Sequence, residues 1–419
     1  MGSAYSNALA GLNANAQAIN VVSGNLANLS TSGYKDQQVS FEDLVNESIS
    51  GFSNAGTVAG SVLATSTQQF TQGTLSTTNN PYDAAIQGGG FFVLQGTNGQ
   101  QLYTRQGDFS VNAGGGLVTA TGQTVQGWNS VAGVLNTNGA TGNIVLPTGL
   151  VTPPVATANM TIGANLNANA TVGSADATFS SPIQVYDSLG TAHTLTVTYT
   201  ETAANNWTYN VTIPSTDVSG GTGATTNVGT GTLVFGSNGQ LTTPAAAAGA
   251  IPVAITGLAD GSANLTINWN LYNSAGNASI TQYSQASANT TQSQDGVAPG
   301  ELTAMSIGGN GEVIASFSNG TTEDVAQLAL ASVLNPSSMQ QVDGNNYAPT
   351  SLTASPVIGM PSTGARGSIS GGALETSTVD IATEFTNLLQ FERGYQANSK
   401  VISTEDQVIQ QTIGLIANG

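Results

Sequence analysis

His193 is the one side chain among the 419 residues that ordinarily titrates near neutrality, and no cysteine accompanies it. A zinc site needs three or four His, Cys or carboxylate donors, and no Asp/Glu cluster stands at ligand spacing from His193, which is therefore expected to be a structural residue on a strand. The acidic pairs Glu42-Asp43, Glu323-Asp324 and Glu405-Asp406 are adjacent in the chain. On a strand or a helix such neighbours point in different directions, which suits solvated charges and not an acid/base couple. Gly88-Gly89-Gly90 and Gly114-Gly115-Gly116 lack the Gly-Lys-Ser/Thr ending of a phosphate loop and lie between strand-like runs, so tight turns are expected. Asn-x-Ser/Thr triplets at Asn159, Asn206 and Asn264 arise by chance in a chain this rich in Asn and Thr, and no calcium-loop pattern occurs. The sequence thus assigns no catalytic, cofactor-binding or metal residue.

Composition narrows the partners. Charged residues make up 7% of the chain, against roughly 25% in an ordinary soluble protein. With 23 acidic and 5 basic side chains the net charge is -18, which repels phosphate backbones and anionic lipid, so nucleic acid and membrane surfaces are poor partners. No stretch approaches the roughly 20 apolar residues that cross a bilayer. No Lys or Arg precedes Lys35, and the first 30 residues hold no continuous apolar run of signal-peptide length. If the protein is extracellular, it is expected to leave by a route that does not cleave its N-terminus.

Both ends read as helices. Leu9, Leu12, Ala16, Ile19, Ser23 and Leu26 recur at steps of three and four, which aligns them on one face, and Gly33 offers a stop. Near the other end Ile381, Phe385, Leu388, Tyr395, Ile402, Ile409, Ile413 and Ile416 follow a heptad track interrupted at Glu392, Ser399 and Asp406, a narrow seam that suits a coiled coil. Ser377 to Asp380 would begin that helix. Periodicity alone leaves two uses open: a hairpin closing one globular domain, or an assembly seam shared between copies.

Between the helices the pattern is β. Phe91-Phe92-Val93-Leu94, Leu102-Tyr103-Thr104-Arg105 and Phe109-Ser110-Val111 are separated by turn-prone residues, and Leu195, Val197 and Tyr199, then Trp207, Tyr209, Val211 and Ile213, alternate with polar neighbours. Pro147 to Pro154 reads as a linker leaving one β domain, and the polar stretch Ser284 to Gln294 as the return. The expected organisation is nested and mainly β with paired terminal α-helices. A coiled-coil-like helical module takes 1–30 and 372–419, connecting segments take 31–70 and 361–371, an inner β domain takes 71–150 and 290–360, and an outer β domain is inserted at 151–289.

Three blocks carry a family resemblance. At the start stand Asn25-Leu26-Ala27-Asn28 and Gly33-Tyr34-Lys35; then Asn80-Pro81-Tyr82-Asp83 through Gly88-Gly89-Gly90-Phe91, followed by Leu102-Tyr103-Thr104-Arg105; at the end Leu374-Glu375 and Arg393-Gly394-Tyr395-Gln396-Ala397-Asn398. Together they resemble the bacterial flagellar rod and hook axial family. Pro182 to Gly190 with Trp207 looks like the inserted outer domain of its hook branch, which rod proteins generally lack. Gly24, Leu29-Ser30, Thr378 and Glu392 depart from the usual pattern.

The resemblance implies a structural, non-enzymatic subunit without cofactors, polymerised with copies of itself into a hollow, flexible tube that carries torque from rod to filament. Leu9, Leu12, Ile19 and Leu26, with the heptad residues of the second helix, would form the assembly interface. Implied partners are the distal rod protein, the hook cap, the hook-filament junction protein and the flagellar type III export apparatus, with localisation at the extracellular hook. Phe41 and Val45 match the family pattern of a Phe followed four residues later by an aliphatic side chain, a candidate export-gate motif. At equal weight, the same pair could anchor a short segment against the core. A distal rod-type protein, a secreted β-rich adhesin or layer protein, and, weakest, a glycan-degrading enzyme are the competing readings.

Overall fold

A computed structural model describes residues 2–44, 61–131 and 133–417. The chain is mainly strand, with one long helix near each end: α1 spans Gly2–Ala27 and α2 spans Ile381–Ala417. It divides into two compact units, one of Met1–Thr148, Ala304–Ala315 and Thr322–Gly419, the other of Gly149–Thr303 and Ser316–Thr321.

In the first unit, early and late segments pair directly. Leu75–Thr77 lies antiparallel to Ala373–Glu375, and Ala84–Gln87 to Ser368–Gly371. The chain therefore leaves and re-enters the helical end through ladders that join residues almost 300 positions apart. Phe91–Gln95 pairs with Gln101–Thr104, Thr124–Val131 and Leu330–Ser332, and the core beneath collects Phe91, Val93, Tyr103, Trp128 and Tyr347. Edge-on ring contacts of Phe70 with Phe91 and Tyr347 extend it, a geometry favoured by the ring quadrupoles. Inside the stretch read as a connecting segment, Gln37–Leu44 and Ser61–Gln68 form an antiparallel pair with Phe41 opposite Ala64.

The second unit packs two five-stranded sheets on one core. One is an antiparallel run of Thr178–Tyr186, Ala192–Ala203, Asn206–Pro214, Thr225–Phe235 and Leu241–Thr243. Along Asn206–Pro214 every second residue is buried, which puts Trp207, Tyr209, Val211 and Ile213 inward as the alternation requires. The other sheet centres on Asn159–Asn167 and brings in Trp269, which meets Tyr209 edge-on. Ala288–Gln294, which composition reads as a linker, is an antiparallel strand against Asn159–Asn167. Its side chains are almost all exposed, so no apolar alternation marks it.

Candidate functional site: the helix pair and its ionic anchor

Small and polar side chains decide how the helices meet. Among the described residues of α1 the buried ones are Ala8, Ala14, Ala18, Val22 and Asn25, an inward stripe that bulky side chains would hold off. A Cβ on Gly11 would stand 2.8 Å from Asn398 Nδ2, and one on Gly394 would stand 2.5 Å from Asn15 Oδ1. With Asn25 donating to Glu384 at 3.2 Å, these contacts run the helices antiparallel. Each glycine receives an asparagine of the other helix.

The apolar residues singled out by spacing lie elsewhere on α1. Leu9, Leu12, Ile19 and Leu26 each follow an inward-facing position by one residue and so sit about 100° round the helix. Leu9 is 41% exposed and the other three are half-buried. On α2, Leu388 and Ile402 are half-buried, whereas Ile381, Phe385, Tyr395, Ile409 and Ile413 are exposed, Phe385 at 52% and Ile413 at 61%. Asp380 begins the helix by accepting the Thr383 N–H at 2.8 Å, a cap that also holds its carboxyl below the usual range. Phe41 is 43% exposed, with its ring 5.6 Å from that of Phe391 on α2. Val45, and the side chain of Ile416, lie outside the described residues.

Below the helix pair sits a buried ionic triad that spacing did not reveal. Lys35 Nζ meets Glu375 Oε1 at 2.6 Å, and Arg105 Nη1 meets Glu375 Oε2 at 3.3 Å. Lys35 is fully buried and also donates to the Thr71 carbonyl at 2.5 Å; Arg105 donates to the Gly88 carbonyl at 2.7 Å and lies over the Phe91 ring. Burial pushes the pKa of both cations down, and the shared Glu375 pulls in the opposite direction. Gly33 turns the chain into Lys35 with φ +66°, and a Cβ there would strike the Arg105 carbonyl at 2.6 Å.

A second polar node lies beside it. Asn25 donates to the Gln37 carbonyl at 2.8 Å and accepts from the Gln37 N–H and from Tyr34 Oη at 3.0 and 3.2 Å. Glu384 Oε2 is buried without a partner, and burial raises the Glu384 pKa. The three resemblance blocks thus converge in space on Lys35, Arg105 and Glu375. The available signal was scarcity: two of only five basic residues are spent on one glutamate.

In the second unit, folding brings His193 the carboxylates that its spacing lacked. Its Nδ1 lies 3.0 Å from Asp217 Oδ2 and its Nε2 lies 3.2 Å from Asp187 Oδ2. Asp187, His193 and Asp260 hold donor atoms within 4.8 Å of one another, the donor types a divalent cation takes. Both ring nitrogens already face carboxylates, so the group stands as an ion-pair clasp. Burial alone would lower the imidazole pKa, and the facing Asp217 and Asp187 outweigh it and raise it. For Asp187, burial acts upward, but hydrogen bonds from its neighbours, the Thr191 N–H among them, hold it well below the usual range.

Comparison with known proteins gives concordant matches along the chain. Family models described as flagella basal body rod protein, flagellar hook protein FlgE/F/G D1 domain, flagellar basal body protein FlaE D2 domain and flagellar basal body rod FlgEFG protein C-terminal match residues 6–35, 85–168, 156–297 and 370–415. The chain is 34% identical to the flagellar hook protein FlgE of Rhizobium meliloti over 97% of both chains. It is 30% identical to that of Escherichia coli over 98% of this chain and 100% of the other. Its fold is similar to the crystal structure of Helicobacter pylori flagellar hook protein FlgE2, with a TM-score of 0.50 at 17% identity over 72% of this chain and 100% of that one.

Proposed function

Because the chain belongs to the flagellar hook protein family, we propose that it polymerises into the flexible hollow tube of the hook and there transmits motor torque from rod to filament as a universal joint. The observation that carries this reading is the helix pair: α1 and α2 come from opposite ends of the chain, bury a stripe of small residues between them, and keep Leu9, Phe385 and Ile413 on the surface. A helix with an apolar face left outside is covered in its working state by something else. Here that cover is other copies, with Leu9, Leu12, Ile19 and Leu26 of α1 and the heptad residues of α2 at the contacts.

The nested plan follows from the same premise. The helical module of 1–30 and 372–419 forms the inner tube, the segments 31–70 and 361–371 connect it outward, and the inner β domain of 71–150 and 290–360 carries the inserted domain of 151–289. A surface of Ser, Thr, Asn and Gln allows β domains to slide as the tube bends, because hydrogen bonds exchanged between neighbour and water change free energy by only about 0.5–1.5 kcal/mol each. We assign the subunit to the extracellular hook after type III export without a cleaved signal, with distal rod protein, hook cap and junction protein as its neighbours.

Negative-stain microscopy of concentrated purified protein tests the reading: tubes with a lumen are expected, and sheets or lone particles would remove it.

A further inference from the structure

Where α1, α2 and the strand Gln37–Leu44 come together they enclose a pocket of about 350 Å3. Val22 of α1 lines it, as do Asp36, Gln37 and Val39 at the start of the strand and Thr383, Glu384 and Phe391 on the first turns of α2. It lies at the end of the ladder where Gln37 pairs with Gln68, beside the polar node at Asn25. Nine of its twelve lining residues are polar, so its walls offer mainly oxygen and amide groups. Two of the nine, Asp36 and Glu384, are acids, and among the described residues no Lys, Arg or His lines it.

Glu384 is the member that asks for a partner. It is 7% exposed, its Oε1 accepts from Asn25 Nδ2 at 3.2 Å, and its Oε2 is buried without any donor. A buried carboxylate is ordinarily paired or bound to a metal. The charges that act on Glu384 are those of Asp36 and Asp380, both negative. Lys35, next to Asp36 in the chain, does not relieve them, because its ammonium is committed to Glu375 and the Thr71 carbonyl. A concave site of one sign draws in the opposite charge.

The donor chemistry selects which cation. Gln37 and Gln69 direct their amide N–H groups to Gln341 and Gln38, leaving oxygen as their remaining polar side-chain atom. Carboxylate and amide oxygens without imidazole or thiolate suit a hard cation, and Ca2+ takes such mixed sets in flexible geometry where Mg2+ demands a strict octahedron. We propose that this pocket binds one Ca2+ with part of its hydration shell, held by Glu384 and Asp36. The ion ties the start of α2 to the segment that leaves α1, beside the Lys35 anchor. One chain supplies every group involved, so the site does not depend on assembly.

The test is equilibrium dialysis of the dilute, monomeric full-length chain against CaCl2 at physiological ionic strength. Acids elsewhere on a chain of net charge -18 also attract Ca2+ weakly, so the variants decide. Wild type should bind one Ca2+ with a Kd of about 10⁻⁴–10⁻³ M, the range of extracellular modules, and Mg2+ at least tenfold more weakly. Glu384→Gln and Asp36→Asn should each weaken Ca2+ at least tenfold, while Asp324→Asn, at an exposed acid outside the pocket, should not. Saturating Ca2+ should also slow amide exchange in Gln37–Leu44 and the first turns of α2 in wild type and in neither pocket variant. Should Glu384→Gln fail to fold, Asp36→Asn carries the comparison, since asparagine still accepts the Thr378 hydroxyl. Pocket variants that bind Ca2+ like wild type overturn the proposal and assign the ion to scattered surface acids. A wild-type monomer that binds no Ca2+, with tube formation lost in Glu384→Gln, overturns it as well and gives the pocket to a basic side chain of another copy.

Discussion

Glu375 lies between two cations, Lys35 and Arg105, and His193 lies between two carboxylates, Asp187 and Asp217. In a chain with so few charges, each compact unit concentrates some of them in one buried cluster of opposite polarity. The sequence distances differ more than the chemistry. Glu375 reaches back 340 residues to Lys35 and 270 to Arg105, while His193 reaches 6 and 24. The first cluster welds both ends of the chain and the first core block into one body; the second ties neighbouring turns of one sheet. Of the groups in the two clusters, the imidazole is the one that ordinarily titrates near neutrality, which makes pH a lever on the clasp.

Removing the shared partner of the weld gives the largest expected effect. Glu375→Gln leaves Lys35 and Arg105 buried without a counter-charge, and breaking such a pair costs about 3–5 kcal/mol. Native-state hydrogen exchange on the full chain should show that loss in the ladders Leu75–Thr77 with Ala373–Glu375 and Ala84–Gln87 with Ser368–Gly371. Protection in Asn206–Pro214 should stay unchanged. A uniform fall across both units would mean that the weld is not local to the first.

For the clasp, pH is the lever. The pKa of His193 in the folded protein is raised above the unfolded value of about 6.5, so its stabilisation is complete below that pH and is lost as pH rises through the folded value. The facing groups are Asp187, Asp217 and Asp260, all carboxylates, and none offsets this sign. The second unit should accordingly open more easily at pH 8 than at pH 6, and His193→Gln should flatten that dependence at a cost of about 1.5–3 kcal/mol at pH 6. Exchange rates of Thr178–Tyr186 and Ala192–Ala203, read at both pH values, check it. An unchanged pH dependence in the variant would assign the effect to another group.

What the sequence shows about these regions follows from the range of the forces. Alternation exposes Trp207, Tyr209, Val211 and Ile213 as one strand face because the pattern is local, and three- and four-residue steps place a helix near each end for the same reason. The weld has no period: Lys35, Arg105 and Glu375 are joined only once the ladders form, although each stands within a block that the family resemblance had singled out. The inward face of α1 is hidden for a different reason. Spacing of Leu9, Leu12, Ile19 and Leu26 marks the bulkier stripe, yet close approach to α2 requires the smaller one, and glycines receiving Asn15 and Asn398 decide the contact. Ala288–Gln294 escapes as a strand because its side chains face solvent.

The smallest expected effect sharpens the weld's role and separates the two readings of Phe41. Its strand, Gln37–Leu44, is held from several sides without it: Gln37 bonds to Asn25, the Thr378 hydroxyl joins Asp36, and Gln68 on the paired strand reaches the Lys35 carbonyl and Tyr347 Oη. The Phe41 ring is 43% exposed and meets Phe391 at 5.6 Å. An aromatic pair of this kind adds about 0.5–1.5 kcal/mol beyond its buried area, far below the loss on removing a fully buried ring. Phe41→Ala should therefore lower the melting temperature of the purified protein only slightly and leave the Lys35 anchor in place. Secretion by cells carrying the variant then carries the decision. If Phe41 is an export address, secreted protein falls severely while the purified variant stays close to wild type in melting. If it acts only as packing against α2, secretion continues and the small melting shift is the whole effect, which removes Phe41 from the export argument.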